Sequence, residues 1–153
     1  MARKKQIKWG RPDKWEVLLL VMYGLFLYLF NDMVNLMSSS PEGWMATGTP
    51  ISGIKIGVVS IMWFALIMYH IFLVALVTRS IWKKGTSHKL DAFVGGWMFL
   101  GVFAVIVPTV AMLTGIGPDA TLPWLFGWGR ITVYHVGLFV FQIPGLIYFA
   151  MTK

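Results

Sequence analysis

Asp32 stands in the run Leu29-Phe30-Asn31-Asp32-Met33-Val34-Asn35-Leu36, inside the first of four long apolar segments. A carboxylate at the centre of a bilayer costs about 2.5–3.5 kcal/mol on insertion scales, so an acid there is expected to face protein and to have a partner. Gly24, Tyr28, Asn31 and Asn35 lie at helical spacing around it and form one polar stripe over two turns. Two readings of the stripe stand. It is a site that handles protons, a cation or a polar headgroup, or its amides and acid hydrogen-bond neighbouring helices and hold them together.

Other polar residues fall at a similar depth. His135, Leu138, Gln142 and Gly145 share a face of the last apolar segment; His135 is about one turn from Arg130, and Lys55 opens the second segment. Asp32, Lys55, Arg130, Tyr134 and His135 are therefore expected to converge in the outer half of the molecule. A carboxylate, an imidazole and a cation together satisfy one another or shuttle protons. They would also suit a quinone headgroup, whose carbonyls need donors and whose reduction needs protons. The simpler alternative has Lys55 and Arg130 snorkelling to the outer headgroups, with His135 merely interfacial.

His70 lies nine residues before Arg79, well inside the second segment. A neutral histidine there can bond a backbone carbonyl. As a haem ligand it would want a partner at its own depth. His135 differs from it by about nine residues, or ~13 Å at helical rise, which argues against one haem bridging the two. A single-ligand haem, or one shared with another subunit, stays open. Met33, Met37 and Met45 near His135 raise copper as a further option, since thioethers suit Cu(I). Methionine is equally a gap-filler in apolar helices, and the sequence contains no Met-x-x-Met or His-x-x-x-His pair.

The elements that must position these residues follow from composition. Of 153 residues, 58% are hydrophobic and only 12% charged, against about 25% charged in soluble domains. Mean hydropathy is +0.73. The expected fold is all-α: an integral membrane protein with four transmembrane helices, about 15–37, 52–81, 90–114 and 131–151, in an up-down-up-down bundle. Residues 1–14 form a basic arm, and 115–130 a Trp- and Gly-rich outer loop with Leu122–Phe126 as an interfacial segment. The whole chain reads as a single transmembrane domain. Its first apolar run has span length and no small-residue cleavage site after it, so no cleavable signal is expected.

The formal charge of +7 would suggest nucleic acid in a soluble protein. Its distribution decides otherwise. Eleven of thirteen Lys and Arg lie in the arm, the turn between the second and third segments, or at Lys153; only Lys55 and Arg130 fall on the other side. That is the positive-inside pattern, so both termini are expected to be cytoplasmic, in an inner or cytoplasmic membrane, with basic clusters against anionic headgroups. The sequence has no cysteine, which excludes disulfides, thiolate metal sites, thiol catalysis and c-type haem attachment. No nucleophile–base pair or phosphate loop is present.

Gly53-Ile54-Lys55-Ile56-Gly57, and Gly95, Gly96 and Gly101, offer close helix approach within the bundle or to another chain. Pro108 and Pro144 interrupt the third and fourth helices. Tyr69-His70 and Tyr134-His135 are a faint internal echo. Three functions compete: an accessory or anchor subunit of a larger membrane complex, of the energy-metabolism or oxidoreductase kind; a quinone- or haem-binding redox subunit; and an oligomeric channel or transporter for a small ion or solute. The proportions are similar to those of small four-span subunits of respiratory and membrane-oxygenase complexes, an analogy of size alone. The expected partners are other membrane subunits or further copies of the chain, and no nucleic acid.

Overall fold

The computed structural model of the chain describes residues 7–38, 53–85, 88–113, 121–122 and 128–153. Helices α1 (Lys14–Ser38), α2 (Gly53–Lys84) and α3 (Lys89–Leu113) are followed by a two-residue antiparallel pairing of β1 (Thr121–Leu122) with β2 (Trp128–Gly129). The last long helix is composite: α4 (Arg130–Val136), a π-helical turn over Gly137–Gln142, then α5 (Ile143–Met151). The four helices are long and apolar enough to cross a membrane, over Lys14–Met37, Gly57–Lys84, Lys89–Ala111 and Thr132–Met151.

Local chemistry sets where the helices start and stop. Asp13 caps α1: its Oδ1 accepts from the backbone N–H groups of Trp15 (3.0 Å) and Glu16 (2.8 Å), while Glu16 Oε2 accepts from Asp13 N–H at 2.7 Å. This reciprocal box satisfies donors that a helix start otherwise leaves orphaned. Gly85 ends α2 in the left-handed region at φ 67°, with its N–H on the Ile81 and Trp82 carbonyls. Asp91 Oδ2 accepts from His88 N–H at 3.0 Å and opens α3.

The composite helix is the central one. Of its apolar window 56% is buried, against 17% for α1, because it touches all three others. Tyr134 packs on Phe30 of α1, Gln142 reaches α1 and α2, and Gly137 meets α3. The contact with α3 is close because glycines line it: a Cβ on Gly101 would fall 2.8 Å from Gly137 O, and one on Gly137 would fall 2.9 Å from Ala104 Cβ. The outward faces carry Val21, Leu25, Phe64, Ile67, Phe99 and Phe103, all exposed. That exterior suits lipid, where burying apolar side chains from water is no longer the driving force.

The π turn has a cause in the sequence. Pro144 has no N–H for the Val140 carbonyl four residues back, and its ring crowds that carbonyl. The helix widens, so that Ile143 N–H donates to Leu138 O five residues back. The freed Val140 carbonyl accepts from the Trp97 indole of α3 at 2.9 Å. A proline that would leave a bare carbonyl in lipid is thus answered from the neighbouring helix.

The chain ends meet. Lys8 and Lys153 exchange backbone hydrogen bonds at 3.0 and 2.8 Å, and Gly10 N–H donates to Met151 O at 2.8 Å. Trp9 and Thr152 pair across this short ribbon, and Trp9 stands edge-on to Tyr148, ring centroids 6.1 Å apart.

Candidate functional site

Deep in the bundle one amide joins three helices. Gln142 is fully buried at the end of the π turn. Its Oε1 accepts from the Tyr23 hydroxyl of α1 at 3.0 Å, and its Nε2 lies 3.1 Å from His70 Nε2 of α2. The Leu66 carbonyl beside His70 Nδ1 can only accept, so on a neutral ring Nε2 is the acceptor and Gln142 Nε2–H donates to it. The histidine proton then sits on Nδ1, which is 2.7 Å from the Leu66 carbonyl. The chain Tyr23 to Gln142 to His70 to Leu66 O is complete with a neutral imidazole. Both ring nitrogens of His70 are engaged, so ligating a metal would first require breaking one of these bonds.

Aromatic rings wall this relay. Tyr69 stacks on His70 with centroids 4.2 Å apart and meets Tyr23 edge-on at 5.5 Å. Tyr69 is fully buried, and its hydroxyl finds no hydrogen-bond partner among the described residues. His70 also borders an apolar groove of about 530 Å³ between α2 and α3, with Trp63, Ile67, Val74, Phe99 and Val102 among its walls.

A second polar cluster lies where the chain ends meet. Asp91 is fully buried and accepts from Lys84 Nζ at 2.7 Å and the Tyr148 hydroxyl at 2.9 Å. The Lys84 ammonium also lies 4.9 Å from the Tyr148 ring centroid and 5.3 Å from that of Phe149. Beside it, Lys83 bridges Asp13 (2.7 Å) and buried Glu16 (2.9 Å), and Arg79 reaches Asp13 at 2.9 Å. The Lys83 hydrogen bond, then the Glu16 backbone N–H, then Arg79 hold the Asp13 carboxyl well below the usual aspartate range. These pairs close the ends of α1, α2, α3 and α5 on one another. Their carboxylates and ammonium groups are paired with each other, which is the geometry of a latch.

The polar stripe on α1 is divided. Asn31 turns inward, its Oδ1 3.4 Å from the Tyr134 hydroxyl. Tyr28, Asp32 and Asn35 turn outward and are exposed, Tyr28 by 72%. Among the described residues Asp32 makes no hydrogen bond or ion pair. His135 is also on the exterior, its ring beside Tyr134 and Phe139. The side chains of Lys55 and Arg130, Met45, and residues 123–127 of the outer loop lie outside the described residues, and with them the expected convergence. Among the described residues no group of three or more His, Asp and Glu is placed to hold a metal ion.

Gln142 and His70 are brought together although the sequence suggested no link between them. Tyr23 and the Lys84–Asp91–Tyr148 cluster were not foreseen. Asp91 carried a signal: it is an acid placed seven residues after Lys84, across a short turn, at a helix start. Comparison with protein families, characterised proteins and solved structures finds no match to this chain.

Proposed function

We propose that this chain works as a small accessory or anchor subunit within a larger membrane assembly, in the inner or cytoplasmic membrane with both termini cytoplasmic. The observation that carries this reading is the outward polar face of α1. Tyr28, Asp32 and Asn35 lie on a helix otherwise apolar enough to span the bilayer, and all three are exposed, with none of the described residues covering them. Polar side chains on a spanning helix seek protein or trapped water. The relay and the latch support the same reading, because their hydrogen bonds and ion pairs join helices to one another. The basic residues around the latch exceed the acids there, which suits anionic headgroups on the same side.

The test is extraction from native membranes in mild detergent. An assembly subunit co-purifies with defined other chains or copies at fixed stoichiometry. A stable lone monomer would sink the reading.

One observation favours a second reading, a quinone-like redox ligand. The groove between α2 and α3 is apolar and is bordered by His70, which is joined to Gln142 and Tyr23. A quinone seated there would quench Trp63 fluorescence, and Trp63→Phe would remove that quenching. Equal quenching in the Trp63→Phe chain would refute this placement.

A further inference from the structure

The outward face of α1 is self-complementary. Gly24, Tyr28, Asp32 and Asn35 follow at intervals of four, four and three residues, and all four are exposed. A Cβ built on Gly24 would meet nothing within 4 Å, so another helix can approach closely at that level. Asp32 offers an acceptor that no donor among the described residues meets. One turn further along the same face stands Asn35, whose amide donates.

We propose that a second copy of this chain occupies this face, α1 against α1 about a two-fold axis along the membrane normal. The inference rests on the assembly reading above and names the neighbour across one surface. An axis in that direction keeps both copies in the same orientation, as shared insertion requires. The helices cross near Gly24. Asp32 then stands eight residues, ~12 Å, further along, where helices crossing at ~20–40° have begun to diverge. Side chains lean toward a helix's N-terminus, so each Asn35 amide reaches back toward the Asp32 carboxylate of the other copy. The divergence keeps the two carboxylates apart, and each meets an amide. Such a contact is isologous, with two acids answered by two amides.

The absence of native cysteine makes the test clean. The full chain is expressed in its native membrane with one cysteine at a time, as Gly24→Cys, Tyr28→Cys or Phe103→Cys, and then oxidised. Phe103 is 53% exposed on α3 and serves as the control. Disulfide-linked dimers are expected at positions 24 and 28 and not at 103. No dimer at 24 and 28, or equal dimer at 103, overturns the proposal.

A second measurement does not depend on the cysteine variants. The dimer dissociation constant of the parent chain and of Asn35→Leu is read by single-molecule photobleaching in lipid vesicles. The substitution removes both symmetry-related bonds and is expected to weaken association about ten- to a hundredfold, since one interhelical hydrogen bond in lipid is worth about three- to tenfold. An unchanged constant overturns the proposal. A fixed assembly with other chains but no α1–α1 cross-link also overturns it, while leaving the assembly reading intact; a lone monomer overturns both.

Discussion

Gln142 Nε2 lies 3.1 Å from His70 Nε2, and this bond between the π turn and α2 ties the central helix to the rest of the bundle. The opposite end of the same amide holds Tyr23 of α1 at 3.0 Å. Gln142→Leu keeps the bulk but strands the Tyr23 hydroxyl and a histidine nitrogen in an apolar interior. It is expected to lower stability by about 1–2 kcal/mol, read as a lower melting temperature in detergent. Tyr23→Phe removes one bond and should cost less than half as much. If the two variants are equally stable, the amide is not the junction.

Lys84 and Asp91 form a buried ion pair, with side chains 1% and 0% exposed. Removing one partner leaves a buried charge uncompensated, so Lys84→Met or Asp91→Leu is expected to destabilise by about 3–5 kcal/mol. The double change Lys84→Met with Asp91→Leu should recover much of that loss, because neither charge then remains. Thermal unfolding of all three variants checks the non-additivity. Additive losses would show that the two side chains act independently.

The glycines separate by their surroundings. Gly101→Ala would push a Cβ to 2.8 Å from the Gly137 carbonyl, backbone that cannot yield without moving a helix. A loss of about 1–3 kcal/mol is expected. Gly145→Ala drives into Met98 and should behave alike. Gly24→Ala meets open space and should leave the stability of the single chain within about 0.5 kcal/mol.

Asp13 gives the latch a defined acid response. Its carboxyl titrates well below the ordinary 3.8, chiefly through Lys83. A group depressed by folding contributes stability that is full above its unfolded value and lost as pH falls toward the folded one. Protection of the first turn of α1, read by hydrogen exchange and corrected for intrinsic rates, should hold between pH 7 and 4.5. It should fall only below 3.8. Asp13→Asn should show reduced protection at pH 7 and a smaller acid step than the parent chain.

Long apolar runs and terminal charge made the four helices legible, because span length and hydropathy are properties of segments. Helix rotation is not such a property. The spacing around Asp32 showed that Tyr28, Asp32 and Asn35 share a face, but only packing shows that Asn31 turns inward to Tyr134 while the others turn outward. The relay was half legible. His70 and Gln142 are each polar in apolar sequence, yet their meeting depends on a π turn that shifts Gln142 around the helix axis. Pro144 was the visible sign of that irregularity, and neither its π geometry nor its Trp97 partner could be read from a proline alone.

The assembly claim is tested most directly by native mass spectrometry of the chain released from its own membrane. A particle containing more than one polypeptide is expected, heavier than the 17.3 kDa chain by at least one further copy or partner. A single 17.3 kDa chain with lipid alone, at every detergent concentration that keeps it folded, would contradict the claim.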